Sequence, residues 1–249
     1  MQLNARIALV TGAGSGIGQA IAVTLAEQGA KVIVTDMSAE LAAQTAKLIQ
    51  DQHGVALSYG MNVCEPEQIA HVREQLLAQN IAPNVLVNNA GWSTSQAFLK
   101  NTPELWDKLI DINLMGVIRV TRAFLEPMVQ SEKGGSVVNV SSDAGRVGSS
   151  GESVYAAAKG GVIALTKSLA RELTRYKINV NCVCPGPTET QLLRANPENY
   201  VEALLKAIPM RRFADPKDIA QAVAYFASEP ASYVTGQIMS VSGGLTMAG

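Results

Sequence analysis

The chain has 249 residues, with 20 lysine and arginine residues against 21 aspartate and glutamate residues, so its formal net charge at pH 7 is −1. This balance gives no basic surface of the kind that binds nucleic acid, and we expect no nucleic-acid partner. Hydrophobic residues make up 47% of the chain and charged residues 16%, a composition that excludes a disordered chain, a coiled coil and a highly charged linker.

Seven short runs rich in β-branched residues alternate along the chain with longer segments of helical periodicity. The runs cover residues 7–11, 32–36, 56–62, 85–88, 136–141, 179–184 and 237–241. Strands that alternate with helices are typical of a parallel sheet covered by helices on both faces. We therefore predict one α/β domain over residues 1–249, with a seven-stranded parallel sheet and a substrate-binding lobe around residues 187–214.

A glycine-rich stretch at residues 11–18 follows the first predicted strand and opens a helical segment. Its glycines allow a tight turn, let the backbone approach a pyrophosphate, and direct a helix N-terminus at the negative charge. This placement predicts a Rossmann fold that binds a dinucleotide, although a glycine-rich turn without a ligand is the alternative. The residues expected to hold the phosphates are Gly12, Ser15, Gly16, Ile17 and Gly18.

Asp36 ends the second predicted strand, where an acid can accept hydrogen bonds from the ribose hydroxyls of an adenosine. The same carboxylate repels a 2′-phosphate, and neither Ser15 nor Met37 supplies a cation to hold one. The sequence therefore favours NAD over NADP as the cofactor. The alternative is that Asp36 only caps the helix that begins near Ser38.

Tyr155 and Lys159 are four residues apart in a helical run rich in alanine and glycine, so their side chains lie on one helix face. An ammonium beside the phenol favours the phenolate. We expect this to lower the tyrosine pKa from about 10 by about two or three units, so that Tyr155 exchanges a proton with an alcohol near neutral pH. An ordinary surface helix is the alternative for this pair.

Ser142 follows the fifth predicted strand, at the sheet edge where ligands of open α/β sheets bind. Its hydroxyl can donate a hydrogen bond to a substrate oxygen and stabilise the charge that develops there. The neighbouring Ser141 is the competing candidate.

Together these motifs resemble the short-chain dehydrogenase/reductase family in its single-domain form. The resemblance covers the whole chain and rests on residues 11–18, residues 88–91, Asn113, Ser142, the Tyr155 and Lys159 pair, and residues 185–186. It implies an NAD-dependent alcohol dehydrogenase whose catalytic residues are Asn113, Ser142, Tyr155 and Lys159. By the family spacing to the tyrosine, Ser142 is preferred to Ser141, and the matching asparagine holds a water that links the lysine to solvent.

The resemblance also implies the remaining contacts with the cofactor. Asn62 stands where the family usually has aspartate, and Thr188 stands where it often has an aliphatic residue. The expected cofactor contacts beyond the glycine loop and Asp36 are Asn62, Val63, Asn89, Ala90, Gly91, Tyr155, Lys159, Pro185, Gly186, Thr188 and Thr190.

A narrower resemblance, to dehydrogenases of 2-hydroxycyclohexanecarboxyl-CoA, rests on residues 88–92, 142–161, 184–190 and 236–249. It implies a small-molecule substrate, a ring secondary alcohol carried as a CoA thioester, that is oxidised to a ketone. A 3-oxoacyl-thioester reductase, a dehydrogenase of free alcohols and a non-catalytic dinucleotide-binding sensor stay open.

Other residues bear on the substrate without deciding it. Lys206, Arg211 and Arg212 either meet the phosphates of a thioester carrier or form a solvated surface cluster. Trp92 either forms an apolar wall for a ring or belongs to the core.

The three cysteines lie in a chain too long to need disulfide bonds, so we expect a cytoplasmic protein. Cys182 and Cys184 have no cysteine or histidine partners at zinc spacing and are expected to be buried apolar residues, with no metal bound. Uncharged stretches at residues 7–26 and 231–249 are interrupted by glycines or polar residues, so we expect neither a signal peptide nor a membrane span.

The predicted helices at residues 104–130 and 152–176 carry more apolar residues than one sheet face needs. Surplus apolar surface of this kind indicates subunit contacts. With the family resemblance it implies a homotetramer assembled through these two helices and the C-terminal strand.

Overall fold

The computed structural model describes residues 2–194 and 198–247. Seven strands form one parallel sheet in the order β3-β2-β1-β4-β5-β6-β7. This confirms the predicted Rossmann-type α/β fold, and every strand begins and ends within two residues of its prediction. The strands are β1 Ile7–Thr11, β2 Lys31–Asp36, β3 Val55–Gly60, β4 Val85–Asn88, β5 Gly135–Val140, β6 Ile178–Pro185 and β7 Ile238–Val241.

Ten α-helices lie in the described part of the chain. They are α1 Gly16–Glu27, α2 Ala39–Asp51, α3 Pro66–Ala78, α4 Pro103–Ile110, α5 Gly116–Gln130, α6 Ala144–Val147, α7 Ser153–Leu173, α8 Gln191–Arg194, α9 Glu198–Ala207 and α10 Pro216–Ala227. Short 3-10 turns occupy Phe98–Lys100, Thr174–Tyr176 and Glu229–Ala231, and a π-helical turn, Asp111–Met115, joins α4 to α5. The helix predicted over residues 104–130 is therefore interrupted by a wider turn.

Helices cover both faces of the sheet, because successive strand residues point to opposite sides. Val10 packs with residues of α1 and α10 on one face, and Leu9 packs with residues of α3, α5 and α7 on the other. Every residue of β4 and β5 is buried. Cys182 and Cys184 in β6 are buried and free of disulfides, as expected for apolar residues.

The strand order reverses beside β1, which lies between β2 and β4. In an open parallel sheet such a reversal leaves a crevice outside the carboxyl ends of the strands, where ligands bind. The segment 187–214, for which we predict a binding lobe, contains α8 and α9 near this edge. Residues 195–197 of this segment lie outside the described residues, as do residues 248–249 at the C-terminus. Among the described residues no helix combines the length and the hydrophobicity needed to cross a membrane.

Candidate active site

The glycine loop between β1 and α1 folds so tightly that no side chain fits at Gly12 or Gly18. Gly12 and Gly16 have positive φ angles of 61° and 53°. A Cβ atom at Gly12 would lie 2.8 Å from the Cα of Ala90, and one at Gly18 would lie 2.0 Å from the Gly12 carbonyl oxygen. Gly16 is different, since a Cβ there would have only the Cγ2 of Thr190 within 4 Å, at 3.6 Å. The Gly16 side of the loop therefore faces a cleft with Thr190 across it.

The N-terminus of α1 lies at the base of this cleft. Ser15 is exposed and its side chain does not cap the helix, while the first turn holds no acidic residue. Ile17, the second residue of α1, packs against the core and anchors the turn. Because the first N–H groups of a helix have no partner within it and carry partial positive charge, this end of α1 suits a phosphate.

Asp36 lies beside the loop at the end of β2. Its two carboxylate oxygens accept hydrogen bonds from the backbone N–H groups of Gly14 and Ser38, each at 3.0 Å. The side chain that caps α2 is that of Ser38, which accepts from the Leu41 N–H group. Capping α2 is therefore not the role of Asp36, and its carboxylate is fixed at the sheet edge next to the phosphate loop.

The turn after β3 lies next to Asp36, because the Met61 N–H group donates to the Asp36 carbonyl at 2.7 Å. Asn62 accepts a hydrogen bond from the Cys64 N–H group through its Oδ1 at 3.0 Å, and Val63 is buried. An amide oxygen has two lone pairs, so one remains on Asn62 for an adenine amino group.

The segment after β4 is tied to the glycine loop by a set of short hydrogen bonds. Asn89 donates from Nδ2 to the carbonyls of Thr11 and Gly12 at 3.0 and 3.1 Å. The Thr11 hydroxyl oxygen accepts from the backbone N–H groups of Asn89 and Ala90, both at 3.0 Å. These bonds hold Ala90 and Gly91 against the loop at the edge of the cleft.

A buried amide network beneath this segment escaped the sequence analysis. Asn88 donates to the Thr121 hydroxyl at 2.9 Å and to the Asn139 Oδ1 at 2.8 Å, and Asn139 donates to the Thr166 hydroxyl at 2.9 Å. The network joins β4 and β5 to α5 and α7. The signal available in the sequence was the asparagine among the three valines of residues 137–140.

Asn113 lies in the π-helical turn and is fully buried. Its Nδ2 donates to the carbonyls of Trp92 and Leu109 at 2.7 and 2.9 Å, and its Oδ1 accepts from the Trp92 N–H group at 3.1 Å. A Cβ atom on Gly91 would lie 2.9 Å from this Oδ1 and 3.2 Å from the Nζ of Lys159. One lone pair of Oδ1 remains for a water between Asn113 and Lys159.

Tyr155 and Lys159 lie on one face of α7, as their spacing predicts. The Nζ of Lys159 is 5.9 Å from the centroid of the Tyr155 ring and donates to the Val140 carbonyl at 3.0 Å. Ser142 accepts from the Ala144 N–H group at 3.1 Å, and its side chain lies close enough to Tyr155 to lower the pKa of the phenol. Ser141 instead donates to the Lys159 carbonyl at 2.8 Å. Of the two serines, Ser142 is therefore the one beside the tyrosine.

Burial moves the pKa values of Tyr155 and Lys159 in opposite directions. Burial raises the pKa of Tyr155 to about 12, with further raising by Glu152 and Cys184 and a lowering by Ser142. Burial lowers the pKa of Lys159 to about 8. The expected lowering of the Tyr155 pKa is thus wrong, because burial of the phenol outweighs the other effects and the ammonium is directed at the Val140 carbonyl.

The wall opposite the glycine loop is formed by the chain after β6. Pro185 ends β6, and the Gly186 N–H group donates to the Val241 carbonyl at 3.0 Å. Thr188 is buried and donates to the Gly186 carbonyl at 2.9 Å, and the Thr190 hydroxyl accepts from the Leu193 N–H group at 3.4 Å. The structure therefore places the predicted residues of this segment in one continuous turn along the cleft.

The residues proposed for carrier phosphates are partly engaged elsewhere. Arg212 pairs with Asp218 at 2.6 Å, and Lys206 pairs with Glu202 at 3.6 Å. Arg211 donates to the Lys206 carbonyl. These contacts favour the solvated surface cluster. Trp92 is half-buried with the Nζ of Lys108 4.0 Å above its ring, so it is not a core residue.

Comparisons with known proteins agree with this geometry. Residues 12–246 match a family model described as enoyl-(acyl carrier protein) reductase. The 3-oxoacyl-acyl-carrier-protein reductase of Thermotoga maritima is 40% identical over 247 residues, 99% of this chain and 100% of the relative. The (3R)-3-hydroxyacyl-CoA dehydrogenase of Canis lupus familiaris is 38% identical, over 99% of this chain and 98% of the relative.

A solved structure gives the same result for the fold. A crystal structure assigned to a short-chain alcohol dehydrogenase from Sinorhizobium meliloti 1021 superposes with a TM-score of 0.92 at 34% identity. The match covers 98% of this chain and 97% of that one.

Proposed function

The chain belongs to the short-chain dehydrogenase/reductase family and is an oxidoreductase of that family, and on this basis we propose that it interconverts a secondary alcohol and a ketone with NAD as its cofactor. The observation that carries the proposal is the convergence of Asn113, Ser142, Tyr155 and Lys159 at one sheet edge, around Gly91 and beside the glycine loop. A dinucleotide-binding sensor without activity does not require these four side chains together.

The residues around the cleft fit a dinucleotide. Gly12, Gly16 and the N-terminus of α1 offer a cradle without side chains and with partial positive charge, which suits a pyrophosphate. The fixed carboxylate of Asp36 suits the two ribose hydroxyls and repels a 2′-phosphate, which favours NAD over NADP. When bound, the nicotinamide accepts or returns the hydride of the carbinol carbon.

The chain's own residues handle the oxygen and the proton. We assign to Ser142 a hydrogen bond to the substrate oxygen and to Tyr155 the exchange of the alcohol proton. Because burial raises the pKa of Tyr155 to about 12, the phenol is protonated at neutral pH and ready to donate in the direction of ketone reduction. Alcohol oxidation needs the phenolate, so we expect its rate to rise with pH.

Lys159 and Asn113 extend this exchange towards solvent. The pKa of Lys159 is about 8, so its ammonium can release and regain a proton near neutral pH. The Asn113 Oδ1 and the Lys159 Nζ lie on the same side of Gly91, 2.9 and 3.2 Å from the position that a Cβ atom there would take. We propose that a water held there completes the path from Tyr155 to solvent.

For the substrate we propose a hydroxyacyl thioester, in particular an alicyclic one such as 2-hydroxycyclohexanecarboxyl-CoA. The names of the relatives, which act on 3-oxoacyl and 3-hydroxyacyl thioesters, support the thioester, and the resemblance over residues 142–161 supports the ring. The same relatives favour a second candidate, the reduction of a linear 3-oxoacyl thioester. The ion pairs of Lys206 and Arg212 leave the carrier phosphates without an assigned partner.

The first test is absorbance at 340 nm with purified protein, NAD or NADP, and alicyclic and linear alcohols offered both free and as CoA thioesters. We expect turnover with NAD that prefers the ring thioester, and preference for the linear thioester with NADP supports the second candidate instead. Tyr155→Phe should lose nearly all turnover and keep NAD binding measured by fluorescence. Turnover retained by this variant refutes the assigned chemistry.

We further propose a single-domain, cytoplasmic homotetramer. Large apolar side chains exposed near α4 support subunit contacts, since Phe98 and Leu99 are 54% and 97% exposed and the Phe98 ring stacks on that of Trp106 at 6.1 Å. Light scattering coupled to size exclusion measures the mass directly, and the mass of one chain refutes the assembly.

A further inference from the structure

The loop after Trp92 crosses the start of α7 and is fastened to it. Ser93 donates from its hydroxyl to the Oε1 of Glu152 at 2.8 Å. The Gln96 N–H group donates to the Gly151 carbonyl at 2.8 Å, and a Cβ atom on Gly151 would lie 2.6 Å from the Ser95 hydroxyl. Residues 93–96 and 151–152 therefore form one wall, which we call the Ser93–Glu152 wall.

This wall stands beside the reacting residues. Glu152 immediately precedes α7 and is three residues before Tyr155, so the two side chains lie on the same side of the first turn. Its negative charge raises the pKa of Tyr155, as expected for a carboxylate near a phenol. On the other side, Asn113 holds both backbone groups of Trp92 and thereby the start of the loop that carries Ser93.

Glu152 also forms no ion pair with a cationic side chain among the described residues. Its only hydrogen-bonded side chain in this part of the chain is the neutral Ser93. A second carboxylate brought into the cleft meets this charge in partly buried surroundings, where like charges repel more strongly than in water. A neutral ester or thioester carbonyl meets no such repulsion.

We propose that the Ser93–Glu152 wall is a charge filter, which admits hydroxyacyl compounds whose carboxyl group is esterified and excludes the free hydroxy acids. The inference rests on the proposed function, because it assumes that the carbinol oxygen lies between Ser142 and Tyr155. In a 3-hydroxy acid or a 2-hydroxycyclohexanecarboxylate the carboxyl carbon is two bonds from the carbinol carbon. Its charge therefore stays within the reach of Glu152 in any pose that is productive for Tyr155.

The test compares kcat/KM for 2-hydroxycyclohexanecarboxylate and 3-hydroxybutyrate with kcat/KM for their methyl esters, using NAD and NADP. The variants are Glu152→Gln and Ser93→Ala, with Glu74→Gln on the exposed face of α3 as the matched control. Two unit charges about 6 Å apart at an effective dielectric constant of about 20 change an equilibrium by about a hundredfold. We expect Glu152→Gln to raise kcat/KM for the free acids by about tenfold or more and to change the esters by less than about threefold.

An unchanged ratio of acid to ester in Glu152→Gln overturns the filter, as does an equal gain in Glu74→Gln. If the wild-type protein turns over none of these compounds with either cofactor, the filter is decided by a readout that needs no substrate, and the proposed function fails only if the CoA thioesters are not turned over either. This readout is the ultraviolet titration of the Tyr155 phenol, obtained as the difference from Tyr155→Phe. The groups facing that phenol are Glu152 just before α7, Lys159 from α7, Cys184 from β6 and Ser142 after β5. Glu152→Gln should move this titration to lower pH, and an unmoved titration rejects the wall as a source of charge in the site.

Discussion

Replacing Lys159 by methionine should make the protein more stable and inactive. Lys159 is only 3% exposed, and burial lowers its pKa from 10.5 to about 8. Above pH 10.5 this lysine is neutral in both the folded and the unfolded state and does not destabilise the fold. As the pH falls from 10.5 through 8, the free energy of unfolding decreases, because the unfolded chain binds the proton more readily than the folded protein does. Methionine has a similar length and no charge, so the variant lacks this pH-dependent loss.

The size of the effect follows from the pKa difference. One pKa unit corresponds to about 1.4 kcal/mol, so the buried ammonium costs about 3 kcal/mol of folding free energy at pH 7 and less than about 1 kcal/mol at pH 10. Methionine loses the hydrogen bond from Nζ to the Val140 carbonyl, which costs about 1 kcal/mol at either pH. We therefore expect Lys159→Met to be more stable than the wild type by about 2 kcal/mol at pH 7 and about equally stable at pH 10.

Urea unfolding followed by circular dichroism at fixed protein concentration measures both values. Lys167→Met is the matched control, because Lys167 is exposed on the same helix and should show no such dependence on pH. A Lys159→Met protein that is less stable than the wild type at pH 7, or whose advantage is the same at pH 7 and pH 10, refutes the reasoning from burial.

Two further substitutions test the cofactor cleft. Asp36→Ala should lower the ratio of kcat/KM with NAD to kcat/KM with NADP by about tenfold or more, because the fixed carboxylate no longer favours ribose hydroxyls over a 2′-phosphate; an unchanged ratio contradicts this role. Gly18→Ala should lower the free energy of unfolding in urea by about 1–3 kcal/mol, because the new methyl group would lie 2.0 Å from the Gly12 carbonyl oxygen. The reference for this variant is Gly148→Ala, whose added methyl group meets nothing within 4 Å but whose φ of 81° carries a backbone cost of its own.

The sheet could be predicted because its central strands are buried on both faces and read as short apolar runs, so that strand number and approximate ends followed from the sequence. The pairing of Tyr155 with Lys159 followed from helical periodicity alone. The π-helical turn Asp111–Met115 could not be predicted, since the apolar pattern runs through it without a break. Yet this turn directs Asn113 at the backbone of Trp92.

Contacts between residues far apart in the chain could also not be predicted from the sequence. Ser93 and Glu152 are 59 positions apart, and Asn88 and Asn139 are 51 apart. No local periodicity relates such residues, because the packing of strands and helices brings them together. The same holds for the direction of the Tyr155 pKa, which depends on how deeply α7 packs against β5 and β6.

The shifted pKa values of Tyr155 and Lys159 have the same cause, burial, and each shift disfavours the charged form of its own side chain. Burial penalises an isolated phenolate and an isolated ammonium, which is why one pKa is about 12 and the other about 8. A phenolate formed beside an ammonium is a different case, because each charge stabilises the other in surroundings of low polarity. Lys159 therefore lowers the free energy of removing the Tyr155 proton only while Lys159 itself is protonated. The pair titrates as a unit, and this coupling ties the alcohol-oxidising direction to a pH range in which Lys159 is still charged.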